Sequence, residues 1–262
     1  MTYLQAIFLG VLQGLTEFLP VSSSGHLVLA EGILGVNQGG GVTFELALHC
    51  GTLFSVLIYF RHELLTMASS LFRPGMRDER RLIALLVIGT LPAVFAGLFL
   101  RDYFESAYES PRFTSLMLCV TGLILFLPGW IQRRDGELGV PSALAMGIGQ
   151  ALAILPGISR SGSTIVAGML AGVNPGRAAE FSFLLSVPAI TGAVVLQSGE
   201  FTAIDPGLAG QYLAGMISPF VLGLAAVYAV LATIRKGKFQ YFGYYCLAAG
   251  ITGLFYFTFN PC

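Results

Sequence analysis

GVLQGLTEFLPVSSSGHLVLAEGILGV, residues Gly10–Val36, is apolar at both ends and interrupted near its middle by Pro20 and three consecutive serines. It forms most of an apolar stretch running from Tyr3 to Val36. A transmembrane helix takes about 20 mostly apolar residues, so this stretch is too long for one crossing and too short for two. The part beyond the break, His26–Val36, would rise only about 16 Å as a helix. A re-entrant helical hairpin satisfies both facts. Its irregular turn is tolerated at membrane depth only where protein or a watery cavity surrounds it. A second stretch, Ser142–Val173, has the same character and contains GIGQALAILPGISRSGSTIVAGMLAGV, residues Gly147–Val173.

The two 27-residue segments align without a gap. Gln13 falls on Gln150, Ser22 on Ser159, Ser24 on Ser161 and Gly25 on Gly162, with Pro20 and Pro156 offset by one. Downstream, Glu45 has a counterpart in Glu180, and Gly89 and Gly97 match Gly215 and Gly223. The chain therefore divides into residues 1–134 and 135–262, two repeats within one membrane domain, each a hairpin followed by three spans. An odd number of crossings inverts the second half. The hairpins then enter from opposite sides and meet near the midplane, as in inverted-repeat transporter folds.

Composition agrees with a membrane protein. Of 262 residues, 55% are hydrophobic and 11% charged, where soluble domains average about 25% charged. Six segments read as spans: Phe44–Phe60, Leu82–Leu100, Phe113–Ile131, Ala178–Leu196, Tyr212–Ile234 and Tyr241–Phe259. The expected fold is all-α, six transmembrane helices plus two re-entrant hairpins in an inverted-topology repeat.

Loop charges test this arrangement. Arg61, Arg73, Arg77, Arg80 and Arg81 follow the first span, Arg133 and Arg134 the third, and Arg235, Lys236 and Lys238 the fifth. The positive-inside rule puts all of these in the cytoplasm and both termini outside. The loops around Asp102 and Asp205 are then external. This alternation works only if neither broken stretch crosses the membrane. Net charge is zero, which excludes an electrostatic nucleic-acid binder. The first 60 residues hold no Lys or Arg, which is unlike the positive start of a secretory signal. Cys50, Cys119, Cys246 and Cys262 lack metal-ligand spacing and read as small hydrophobes.

Polar residues concentrate in the two breaks. In the first, Gln13 and Glu17 are four apart and share a helix face. Ser22, Ser23 and Ser24 precede the next apolar run, where a serine is a natural N-cap, and His26 sits in the following first turn. The free N–H groups of such a helix start attract anions. Glu17, ionisable inside an apolar segment, is a functional candidate by default. In the second break, Arg160 is the only basic residue between Arg134 and Arg177. Ser159, Ser161, Ser163 and Thr164 surround it with hydroxyls, and Gly157 and Gly162 permit unusual backbone. A guanidinium fork, hydroxyls and a helix start together make a phosphate-binding composition, although no Walker loop is present. Glu45, His49 and Glu180 lie in spans, where they either line the cavity or pair within the fold.

These two regions resemble the signatures of the undecaprenyl pyrophosphate phosphatase family, the integral-membrane type associated with bacitracin resistance. The first resembles its (Glu/Gln)-x-x-x-Glu element and Ser-rich, His-containing turn. The second matches Pro-Gly-x-Ser-Arg-Ser-x-x-Thr at every fixed position, from Pro156 to Thr164. The similarity continues through Glu180-FSFLLSVP. Gln13 takes the Gln option, which leaves Glu17 as the one carboxylate of that helix segment. The resemblance implies dephosphorylation of a C55 isoprenyl pyrophosphate in the bacterial cytoplasmic membrane, with the site opening outward and a divalent cation, Mg or Ca, as cofactor. It implies Ser23 as nucleophile with His26, Glu17 and Arg160 as catalytic partners. Gln13, Ser22, Ser24, Ser159, Arg160, Ser161 and Thr164 would bind the phosphates, and Glu17 would hold the metal. The residues by themselves leave attack by His26 or by metal-bound water open. They also leave open a transporter or scramblase of a phosphorylated lipid. A channel is disfavoured by the lack of polar stripes along the spans. The expected partners are the polyprenyl lipid and the bilayer, with no nucleic acid; a homo-oligomer is compatible with the sequence.

Overall fold

In a computed structural model, residues 1–35, 41–100, 107–130, 135–197, 199, 206–235 and 238–260 are described. Among them the regular structure is helical, with a single isolated bridge between Gly136 and Val173. Val36, Arg101, Asp102, Ile131, Arg133, Arg134, Asp205, Lys236 and Cys262, which carry parts of the span and loop reading, lie outside the described residues.

The first broken stretch forms α1 (Tyr3–Thr16) and α2 (Ser23–Leu34). Thr2 and Gln5 start α1 as a capping box. Helices of 14 and 12 residues rise about 21 and 18 Å, well short of a ~30 Å hydrocarbon core. Next come α3 (Gly41–Tyr59), α4 (Arg61–Ser70), α5 (Arg77–Phe99) and α6 (Pro111–Phe126). The second broken stretch forms α7 (Val140–Leu152) and α8 (Arg160–Leu170), followed by α9 (Pro175–Leu196), α10 (Ala209–Arg235) and α11 (Gln240–Phe259). Ser110 before Pro111 and Asn174 before Pro175 cap α6 and α9, each combining a side-chain acceptor with a proline at the first helical position.

Five helices, α5, α6, α9, α10 and α11, are long and apolar enough to cross a membrane. The remaining expected span, Phe44–Phe60, is α3, which bends by 74° into α4. The stretch from Arg61 was read as a loop; it begins instead with the ten-residue α4, which buries only Met67 and Ser70. Large apolar side chains such as Phe95, Leu123, Tyr228 and Phe255 stand exposed on the outer helix faces. Such a surface belongs in lipid. The chain is an all-helical, multi-pass membrane protein.

Helix packing is reciprocal. α1 lies on α10, and α7 lies on α5. At the first crossing a Cβ on Gly10 would fall 2.6 Å from the Gly215 carbonyl oxygen. At the second, a Cβ on Gly147 would collide with the Gly89 carbonyl oxygen. These are the pairs that the sequence alignment matches, and only glycine lets the two backbones approach so closely. The first hairpin turn is pinned from below: Phe18 is fully buried and meets Phe183 of α9 edge-to-face at 5.7 Å.

Candidate active site

Both hairpin breaks are shaped by backbone requirements. α1 stops at Thr16, with Glu17 as its C-cap. After Pro20, Ser22 adopts φ +68°, the one non-glycine residue with positive φ among the described residues. Its hydroxyl accepts from the Gly25 N–H at 3.2 Å and so caps α2. Backbone strain of this kind persists only where the surroundings over-determine it. In the second break the positive φ, +92°, falls on Gly157, which carries it without cost. Thr121 of α6 fixes that turn, donating to the Gly157 carbonyl at 2.8 Å and accepting from the Ser159 N–H at 3.0 Å. Ser159 then caps α8 by accepting from the Gly162 N–H at 3.1 Å.

The two breaks meet on Glu17. The Ser23 hydroxyl donates to Glu17 Oε2 at 2.6 Å, and the Gln13 amide donates to the same oxygen at 2.9 Å. Arg160 Nη2 forms an ion pair with Glu17 Oε1. His49 of α3 brings its Nε2 to 3.8 Å from Oε2. Glu17, Gln13 and Ser23 are all buried. Two polar atoms here have no partner: Arg160 Nη1 and Gln13 Oε1. An orphaned nitrogen on a guanidinium that shares its carboxylate with a serine hydroxyl offers a phosphate oxygen the donor it needs.

Not every sequence candidate faces this centre in the same way. His26 uses Nδ1 on the Ser22 carbonyl at 2.7 Å and Nε2 on the Tyr245 hydroxyl at 2.8 Å. Ser23 therefore has Glu17, not His26, as its proton acceptor. Ser24 shares a 3.3 Å hydrogen bond with Ser22, and Ser159 shares one of equal length with Ser161. Ser161 also donates to the Leu19 carbonyl at 3.0 Å, tying the second hairpin to the first turn. Thr164 is engaged with the Arg160 carbonyl and, at 2.6 Å, with Ser182 of α9. The hydroxyls of Ser159, Ser161 and Thr164 are thus spent inside the fold that aims Arg160.

Three contributors escaped sequence reading: Thr121, Tyr108 and Tyr245. Tyr108, in the segment before α6, bonds Ser24 and lies near Glu45; burial and then the Glu45 charge push its phenol up. Tyr245 stands among Tyr241 and Tyr244 at the start of α11, where tyrosines ordinarily mark a membrane interface.

Among the described residues no three His, Cys, Asp or Glu side chains are grouped to hold a metal ion. Glu17 is the single carboxylate of the centre and already accepts from three side chains. That is no cage for a bare ion. It does match the usual arrangement for magnesium, one or two carboxylates completed by substrate phosphates.

The profile of the family described as Bacitracin resistance protein BacA matches residues 6–252, nearly the whole chain. The chain belongs to this family. An undecaprenyl-diphosphatase of Syntrophotalea carbinolica is 42% identical over 261 residues, with 98% of each chain covered. Those of Salinibacter ruber and Rubrobacter xylanophilus are each 40% identical, covering 97% and 96% of this chain and 99% and 97% of their own.

Proposed function

We propose that this protein is an undecaprenyl-diphosphatase, hydrolysing undecaprenyl diphosphate to the monophosphate and inorganic phosphate in the bacterial cytoplasmic membrane. The observation that carries the mechanism is the convergence of Ser23 and Arg160 on one buried carboxylate. Ser23 Oγ attacks the terminal phosphorus as its proton passes to Glu17 Oε2, already in hydrogen-bond contact. The bond from that phosphorus to the bridging oxygen breaks, and undecaprenyl monophosphate leaves with the electron pair. Arg160 Nη1 holds the oxygens of the transferred phosphoryl group, whose charge spreads outward as the bond breaks. Glu17 passes the serine proton to the departing monophosphate. Water then attacks the phosphorus of the phosphoserine as its own proton passes to Glu17, the bond from phosphorus to Ser23 Oγ breaks, and Ser23 takes the proton back from Glu17 as inorganic phosphate leaves. A divalent cation, when bound, would take Glu17 and diphosphate oxygens as ligands and neutralise phosphate charge.

The site faces outward in this reading. Tyr108 belongs to the connection that the loop charges assign to the outside, and it reaches Ser24. The reciprocal glycine crossings support two inverted repeats, 1–134 and 135–262. The isoprenoid tail lies in the bilayer between helices.

The test is phosphate release from undecaprenyl diphosphate by purified protein, with Ser23→Ala alongside. Turnover should vanish in the variant, and rapid quench of the wild type with labelled substrate should place phosphate on Ser23. Full activity of Ser23→Ala would remove serine as nucleophile. Transport of the intact diphosphate without phosphate release would favour a lipid transporter.

A further inference from the structure

Helix α11 is the last helix among the described residues, yet it touches the first hairpin with two consecutive side chains, Tyr245 and Cys246, the former 219 positions from its partner His26. Cys246, fully buried, directs its thiol at the Pro20 carbonyl at 3.7 Å. Tyr245 places its hydroxyl 2.8 Å from His26 Nε2, with the two rings nearly parallel, 4° apart in plane and 5.5 Å between centroids.

The proton inventory of His26 follows from these partners. A backbone carbonyl only accepts, so the Nδ1 facing the Ser22 carbonyl must carry the hydrogen. Nε2 is then the ring's one exchangeable position, and it is held by the phenol. His26 is three residues beyond Ser23 on α2, so the imidazole shares the helix face of the nucleophile. It does not meet the Ser23 hydroxyl proton, which is directed at Glu17. Its contribution must therefore come through Nε2 and whatever orients it.

We propose that Tyr245 is a positioning residue for the dephosphorylation: donating to Nε2 of the tautomer that the Ser22 carbonyl sets, its phenol fixes the ring plane of His26 and so steadies the first turn of α2 that carries Ser23. This rests on the phosphatase reading above. Loss of a hydrogen bond that orients an imidazole costs about ten- to a hundredfold in metal sites, where such partners have been measured. Tyr245→Phe keeps the ring and removes only the hydroxyl.

Two measurements on the full-length protein in detergent test it. In the phosphate-release assay, Tyr245→Phe should lower kcat about tenfold and leave KM within about twofold. In a His26→Ala background the same substitution should change kcat by less than about twofold, because its route is already gone. The second measurement does not need turnover. Diethyl pyrocarbonate acylates a free imidazole nitrogen, and mass spectrometry of the His26 peptide should show several-fold faster labelling in Tyr245→Phe than in the wild type. Normal kcat in Tyr245→Phe, an undiminished loss in the His26→Ala background, or unchanged labelling would each overturn the proposal. A loss confined to KM would also overturn it and make Tyr245 part of the lipid wall. If wild-type protein releases no phosphate, the phosphatase reading fails instead, and the labelling still reads whether the pair exists.

Discussion

Ser22 and Ser159 do the same work in the two hairpins. Each caps the second arm through a glycine N–H, at 3.2 and 3.1 Å, and each lies 3.3 Å from a second serine two positions on. The residues that follow them differ. The first position of α2 is Ser23, the proposed nucleophile; the first position of α8 is Arg160, a cation. Where the first hairpin has Glu17, the aligned residue of the second is Ile154. The backbone differs as well: Ser22 sits at φ +68° while Ser159 sits at a relaxed −71°. Strain is kept in the half that carries the proposed nucleophile. One supporting frame thus occurs twice, and its two copies carry complementary groups that both contact Glu17.

The largest effect should come from removing that meeting point. Glu17→Gln keeps a side chain able to bond Ser23 but loses the base and the counter-charge of Arg160. Phosphate release should drop roughly a thousandfold, the scale of a general base. Retention of a tenth of wild-type activity would mean that another group takes the serine proton and that the two hairpins do not depend on a shared carboxylate.

Arg160→Lys tests the cationic half alone. Charge is kept, but one ammonium cannot hold Glu17 with one nitrogen and a phosphate oxygen with another, as the Nη2 and Nη1 arrangement does. Activity should fall about a hundredfold, as when one preorganised donor to a transition-state oxygen is lost. Near-normal turnover in folded protein would reduce Arg160 to a general electrostatic influence.

Gly10→Ala and Gly147→Ala probe the shared frame and not the chemistry. Both add a methyl group where backbone from the facing helix already stands. Each should destabilise by about 1–3 kcal/mol, the usual cost of overpacking. Thermal transitions in detergent measure this. A large drop for one and none for the other would show that the two crossings are not equivalent.

Length and composition exposed the all-helical, multi-pass character of the fold in the sequence. The hairpins were legible because Tyr3–Val36 is too long for one crossing and too short for two, and its part beyond the break rises only about 16 Å. The helix α4 was not, since its charged start at Arg61, His62 and Glu63 looks like any cytoplasmic loop. At the site, Glu17 and Arg160 stood out as charged groups in apolar surroundings, and Ser23 was distinguished from Ser22 and Ser24 only by the family resemblance. The partner of Ser23 did not. Sequence spacing favours His26, three residues away, but the turn after Pro20 folds the chain back so that Ser23 meets a residue six positions earlier. Tyr245 was hidden for a different reason. Its contact spans 219 positions, and a tyrosine near a helix end in a membrane protein carries no distinguishing local signal.

The smallest effect concerns the glutamines that the alignment pairs. Gln13 donates to Glu17, while both ends of the Gln150 amide are buried without a hydrogen-bonding partner. The reason lies in the sequence: one turn on from Gln150 is Ile154, where the first hairpin has a carboxylate. A buried, unpaired amide costs about 1–3 kcal/mol, and an apolar group of similar shape removes that cost. Gln150→Leu should therefore leave phosphate release within about twofold and raise the thermal midpoint by about 2–4 °C per kcal/mol recovered. Gln13→Leu should do the reverse, lowering activity by loosening Glu17. A buried water bridging the Gln150 amide and the equally unpartnered Ser163 hydroxyl would change the sign, because leucine would evict it. A lower midpoint with intact activity would reveal such a water. Lost activity with an unchanged midpoint would break the comparison itself, since both glutamines would then serve the reaction.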